Sequence, residues 1–197
     1  MKLWTWIPQT AVALSLVCVS SASLAANMKA NVQKSQLTWL GKKVLVDSKH
    51  NGTMKLKEGY LDLDKGQGKF VIDMSSINNL DLSGKDKAKL EGHLKSPDFF
   101  DVEKYPTATY LVKKVENKGN GQYQLHGDLT IKGKTEAISF PARLENKGKE
   151  SKLTAKMEFD RSKFDVRFGS GKFTDPKTLG DRIISDTIEV GVVVVGQ

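Results

Sequence analysis

The fold turns on the stretch His93-Leu94-Lys95-Ser96-Pro97-Asp98-Phe99-Phe100-Asp101-Val102-Glu103-Lys104-Tyr105-Pro106-Thr107-Ala108-Thr109-Tyr110. Leu90 and Leu94 stand one helical turn apart and finish an amphipathic helix. Ser96 followed by Pro97 reads as the N-cap and first position of another short turn, with Asp98 where a helix N-terminus favours a carboxylate. On such a turn Phe99 and Phe100 point about 100° apart and can plug neighbouring parts of one apolar opening. Pro106 holds Tyr105 extended, and the alternation Ala108, Tyr110, Val112 that follows has the period of a strand with one buried face. Helix, plug and strand entry come in that order.

Upstream, Leu37 and Trp39 alternate with polar neighbours, Val44 to Val46 prolong that first strand, and His50-Asn51-Gly52 supplies turn residues. Met54 and Leu56, then Leu61 and Leu63, then Phe70, Ile72 and Met74 keep the two-residue period, divided at Gly59 and at Gly66-Gln67-Gly68. The period breaks at Ser76. Ser83 and Asp86 have capping-box spacing before Ala88, Leu90 and Leu94, which predicts a helix of two to three turns. Downstream, Tyr123, Leu125, Leu129 and Ile131 share one parity, followed by Ile138, Phe140, Ala142 and Leu144, and by Leu153, Ala155, Met157 and Phe159. Glycine-centred turns at 119–121, 132–134 and 146–148 separate these runs. The chain closes on Ile188, Val190, Val192 and Val194, with Val193 and Val195 on the other face.

About eight long strands and one short helical insertion make an all-β chain. Left open, the sheet would expose two edges; closure into an eight-stranded antiparallel β-barrel removes both. A two-sheet sandwich would show the same alternation. Ala108, Gly127, Ala142 and Ala155 fall on inward parities beside bulky residues and leave space in the middle, though a tapering, filled core uses the same residues. Near Ser162 the parity conflicts: Phe159 carries Arg161 inward, while Phe164, Val166 and Phe168 are apolar on the opposite parity. A bulge or corner there would bring Arg161 to the mouth.

The His-Leu-Lys-Ser run, the paired Phe99 and Phe100 and the Tyr105-Pro106 pair resemble the signature of the YceI-like family of bacterial envelope proteins. The resemblance extends through Gly127-Asp128-Leu129-Thr130-Ile131-Lys132-Gly133, through Asp160-Arg161-Ser162-Lys163-Phe164 and through Gly180-Asp181, covering essentially everything after Lys29. It implies a lipocalin-like barrel that binds a long isoprenoid or other lipid in its interior.

Residues 1–25 carry Lys2, an apolar run from Ile7 to Val19, and Ser23 and Ala25 at the positions that precede a cut. They read as a secretory signal peptide, leaving residues 26–197 as one domain and placing the protein in the periplasm. The apolar run is too short for a stable membrane span. The single cysteine, Cys18, lies in the segment to be removed, so disulfides, thiol catalysis and a cysteine metal site are all excluded from the mature chain. The formal charge of +8 comes from lysines dispersed among many acids, a solvated basic surface. Nucleic acid is not an expected partner outside the cytoplasm; anionic lipid headgroups are compatible with that charge.

His50, His93 and His126 have no helical metal-site spacing, so no metal is expected. No nucleophile elbow, phosphate-binding loop or dinucleotide fingerprint is present, and Asp160 and Asp165 read as ion-pair partners of Arg161 and Arg167 rather than as a glycosidase pair. The chain therefore reads as a binding protein, not an enzyme, with no cofactor beyond its ligand. The expected interior is Trp39, Phe70, Ile72, Tyr110, Leu129, Phe140, Met157 and Phe159, with Phe99 and Phe100 at the entrance and Arg161 and His93 as headgroup contacts. Two other readings share the pattern: a non-catalytic structural or protein-interaction module with a filled barrel, and an enzyme acting on an envelope lipid. A homodimer through the Val192–Val195 end fits both the carrier and the interaction module.

Overall fold

Eight antiparallel strands close on themselves in the computed structural model, which describes residues 27–197. A three-residue β1 (Asn27–Lys29) precedes β2 (Gln36–Lys42), β3 (Lys49–Asp62) and β4 (Gln67–Asn79); the helix α1 (Gly84–Lys95) leads to β5 (Thr107–Gly119), β6 (Gln122–Ile131), β7 (Lys134–Lys147), β8 (Glu150–Asp160) and β9 (Thr187–Gly196). Each of β2 to β9 pairs with the next, and β9 returns to β2 with Leu37 opposite Val192. The result is a lipocalin-like, up-and-down barrel. β1 takes the same place between β3 and β9 where β2 has not yet begun: Met28 pairs with Leu61, and Ala30 bridges to Gly196. The expected signal segment and Cys18 lie outside the described residues. Among the described residues no helix is long and apolar enough to cross a membrane.

The inward parities are the buried ones, from Leu37 on β2 through Ile72 and Met74 on β4, Ala108, Tyr110 and Val112 on β5, to Ile188, Val190 and Val194 on β9. Alternation ensures this, because a side chain one position along a strand points to the other face. The strand ends without connecting helices form one closed pole, with turns at 63–66, 120–121 and 148–149. The other pole is open. It carries the connection 43–48, the segment from α1 to Pro106, and the long excursion 161–186.

Several local readings are corrected by tertiary contacts. Val44 to Val46 do not prolong a strand; β2 ends at Lys42 and these residues form an exposed bend. His50-Asn51-Gly52 is not a turn but the start of β3, and Gly59 lies within that 14-residue strand rather than dividing two. Both glycines are required by aromatic neighbours. A Cβ at Gly52 would come within 2.6 Å of the Trp39 ring, and one at Gly59 within 2.7 Å of Phe70. At Ser76 the strand does not stop. β4 bulges between Asp73, opposite Lys55, and Asn78, opposite Thr53, and the Ser76 hydroxyl stitches the bulge by accepting from the Lys55 N–H (2.7 Å) and donating to the Asp73 carbonyl (2.6 Å). The extra residues let both Met74 and Ile77 turn inward.

The predicted helix is α1, three turns long, with Ser83 at its N-cap but without a side-chain capping bond. Ser96 ends this helix instead of starting another: its hydroxyl donates to the His93 carbonyl at 2.8 Å, and residues 97–100 form a turn. The parity conflict at Ser162 is resolved by a single 3-10 turn (Arg161–Phe164) followed by left-handed Asp165, φ 60°, not by a bulge.

Candidate functional site

Beneath α1 and the turn that follows it, the open pole contains a cavity of about 290 Å³. Its walls are apolar side chains of the barrel's upper half: Leu37, Trp39, Met54, Ile72, Met74, Ala108, Leu129, Ile131, Met157, Phe159, Ile188 and Val190. Ile77, Leu90, Leu94, Phe99 and Phe100 roof it, with Phe168 and Ile184 at one side. Lys42, Lys43, Ser48, Lys49 and His50 line it where the β2–β3 connection meets the roof.

Of the ten interior residues expected, Trp39, Ile72, Phe99, Phe100, Leu129, Met157 and Phe159 line this cavity, while Phe70, Tyr110 and Phe140 do not. Those three fill the closed half. Phe70 lies over Gly59; the Tyr110 and Phe140 rings meet at 5.0 Å between centroids; and the Tyr110 hydroxyl donates to the Ile138 carbonyl at 3.0 Å. Burial, reinforced by the Asp128 charge, pushes the Tyr110 phenol above its ordinary pKa, so it stays neutral. The space that Gly127 leaves is occupied by Tyr110, since a Cβ there would come within 2.9 Å of its Cζ. Of the four small inward residues, Ala108 alone lines the cavity.

The roof is an aromatic stack. Phe99 is 5% exposed and meets Phe100 edge-on at 4.9 Å; His93 stands edge-on to Phe99 at 5.7 Å and to Phe168 at 4.3 Å. Edge-to-face contacts of this kind fix ring orientation as well as burying area. His93 lines the cavity, and its buried Nε2 has no hydrogen-bond partner in the protein; the same is true of the buried Nε1 of Trp39. Buried polar atoms of this sort are uncommon in native structures; His126 Nε2 and Asp186 Oδ1 are two others among the described residues, but only those of His93 and Trp39 belong to residues lining this largely apolar chamber.

Arg161 is 0% exposed and is not among the residues lining the cavity. Its Nε donates to the Ser185 carbonyl (3.0 Å), Nη1 to Val166 (3.0 Å) and Phe168 (2.8 Å), and Nη2 to Ile184 (3.1 Å), with Asp186 Oδ1 at 3.3 Å. The guanidinium also lies under the Phe99 ring, 5.5 Å from its centroid. Burial pulls its pKa down and the Asp186 and Asp160 charges oppose this. Arg161 therefore clamps the excursion 161–186 onto the barrel and supports the roof, with its hydrogen-bonding capacity taken up by protein. Asp160 pairs with Lys172 and Asp165 with Arg167, so neither carboxylate is available as part of a catalytic pair.

A second anchor was not legible in the sequence. Asn79, also 0% exposed, donates through Nδ2 to the Asn51 carbonyl (3.0 Å) and to Asp81 (2.7 Å), accepts from the Leu82 N–H (2.8 Å), and donates its own N–H to Glu91 on α1 (2.7 Å). Asp81 in turn accepts from the Asn51 N–H and meets His50 Nδ1 at 2.7 Å. Burial pushes the Asp81 carboxyl up, but these hydrogen bonds outweigh it and hold the group below the ordinary carboxylate range. His126 lies on the outer wall beside Ser139 at 2.8 Å. No cluster of metal-ligating side chains occurs among the described residues.

The comparisons agree with this architecture. A UPF0312 protein of Vibrio cholerae is 32% identical over 152 residues, covering 72% of this chain and 77% of its own. The crystal structure of Burkholderia cenocepacia BcnA is similar in fold, with a TM-score of 0.65 at 24% identity over 85% of this chain and 99% of that one. A polyisoprenoid binding domain from Saccharophagus degradans, implicated in plant cell wall breakdown, gives a TM-score of 0.62 at 17% identity, over 87% and 97% of the two chains. The YceI-like domain matches residues 28–195, and the chain belongs to that family.

Proposed function

We propose that the protein is an exported, periplasmic carrier that sequesters the chain of an isoprenoid lipid, or of a similar long amphiphile, in the cavity of its open pole. The observation that carries this reading is the chamber itself: apolar walls on rigid strands, an aromatic roof on a short turn, and two buried nitrogens without protein partners. Apolar walls with a few placed polar groups are what a lipid tail with one polar end requires. His93 Nε2 and Trp39 Nε1 are the groups we assign to that polar end, and Arg161 is assigned a supporting role. The similarity to a polyisoprenoid binding domain supports the choice of ligand class. Turnover is not part of the proposal.

Purification from periplasm without detergent, followed by solvent extraction and mass spectrometry, tests the reading. The expected result is a prenyl lipid in stoichiometric amount. A protein that is repeatedly empty, and that fails to take up added prenyl lipid, would favour the interaction module, for which the solidly filled closed half of the barrel would be the precedent.

A further inference from the structure

The exposed large apolar residues are not scattered over the barrel. Among the described residues, Val44 (56% exposed), Leu45 (61%), Val46, Leu80 (60%), Phe168 and Phe173 all lie at the open pole, and only Tyr60 and Leu111 lie on the wall. Single exposed apolar side chains need no explanation; six on neighbouring connections at one pole do. The connection 43–48 is held in place. The Lys43 N–H donates to Ser48 at 2.8 Å, Val44 to Ile183 at 3.0 Å and Ser48 to Val46 at 2.7 Å, so Leu45 is presented at the tip of a pinned loop. Lys43 and Lys49 flank the three apolar residues, with Asp47 as the one acid in the segment, while Lys42 next to them is paired with Glu189 on β9. On the adjoining excursion Arg167 lies over the exposed ring of Phe173, 5.1 Å from its centroid.

We infer that this pole docks on the surface of an anionic phospholipid bilayer, with Val44, Leu45 and Val46 inserted at the level of the headgroups and acyl boundary and the flanking lysines on lipid phosphates. Apolar residues at the tip and cations just behind them is the order in which an interface presents acyl chain and phosphate to an approaching protein. The charge is complementary to an anionic surface. The tip also continues into the cavity, since Lys42, Lys43, Ser48 and Lys49 line its mouth. Resting on the carrier reading, this would let a prenyl chain pass between bilayer and barrel without crossing water. Projecting tips, rather than a groove, favour a fluid lipid surface over a protein partner.

The test is flotation with vesicles of phosphatidylcholine alone and of phosphatidylcholine containing about one third phosphatidylglycerol, neither holding prenyl lipid. The mature protein should float with the anionic vesicles, less at high salt, and Leu45→Asp should weaken partition by roughly tenfold or more. Leu45 is exposed, so the melting temperature should not change; Lys43→Ser with Lys49→Ser is the second variant, expected to lose the preference for anionic vesicles without losing fold. Binding of geranylgeraniol in solution is measured in parallel. If wild type floats with neither vesicle, or Leu45→Asp floats as well as wild type, the docking inference is wrong even where geranylgeraniol binds. If flotation behaves as expected but geranylgeraniol does not bind, docking stands and the carrier reading falls.

Discussion

The Trp39 indole packs over Gly52, its direct cross-strand partner on β3: a Cβ at position 52 would sit 2.6 Å from Trp39 Cε2 and Cζ2 and 2.0 Å from the Asn78 carbonyl oxygen. The absent side chain is therefore what allows the indole to form part of the cavity wall. Because one of the obstructing atoms is backbone, the neighbourhood cannot yield by rotating a side chain. Gly52→Ala should cost about 1–3 kcal/mol, as overpacking does, and should shift the emission of Trp39, the one tryptophan outside the first 25 residues. Denaturant unfolding followed by fluorescence checks both.

Arg161→Leu should destabilise the protein by about 3–5 kcal/mol, because it leaves Asp186 and four carbonyls without the cation that collects them. Arg161→Lys should recover little, since an ammonium cannot serve that spread of acceptors. Affinities for charged and uncharged long-chain lipids should fall together. A selective loss for charged lipids, with the melting temperature unchanged, would return Arg161 to the role of headgroup contact.

The two roof phenylalanines should separate. Phe99 is buried against His93, Phe100 and Arg161, so Phe99→Ala should cost about 3–5 kcal/mol. Phe100 is half-buried at the entrance, and Phe100→Ala should cost less while accelerating release of bound lipid. Thermal melts and stopped-flow displacement distinguish the pair.

Acid should weaken the anchorage of the excursion 161–186. Burial pushes the Asp160 carboxyl up, but Lys172 and the Ser162 hydroxyl and N–H outweigh it and hold it below its ordinary value of 3.8. A group whose folded pKa is depressed contributes stability above its unfolded pKa and loses it as pH falls through the folded one. The melting temperature should thus owe nothing to Asp160 titration between pH 7 and 5, and should fall below about pH 4. In Asp160→Asn that part of the acid limb should be missing, as differential scanning fluorimetry across pH would show.

The strands of the barrel could be read from parity because each needs only a repeating pattern along its own length. What could not be read depends on partners distant in the chain. Gly52 and Gly59 look like turn or break residues until Trp39 and Phe70 are placed over them. Met28 joins the core from a strand too short to show a period, and Asn79 is an ordinary polar residue until Asn51, Asp81 and Glu91 converge on it. Val44 to Val46 have strand composition, and composition does not distinguish a buried face from an exposed tip. The interior aromatics had the right parity; which half of the barrel each fills, and so whether it lines the cavity, depends on how far along its strand it falls once the strands are in register, and for Phe70 and Tyr110 on the space left by Gly59 and Gly127.

The most direct test is a titration with prenyl alcohols of increasing length, followed by Trp39 emission and by melting temperature. A chamber of about 290 Å³ is small against a long prenyl chain, so only the first prenyl units can be enclosed. Each unit buried is worth on the order of 4 kcal/mol gross, against an association cost of about 4–15 kcal/mol. One or two units should therefore bind barely. About four units should bring affinity to the micromolar range, and further units should add little. A steep rise that levels off after about four units is the predicted result; a flat response at every length, with no rise in melting temperature at saturating lipid, would contradict the account.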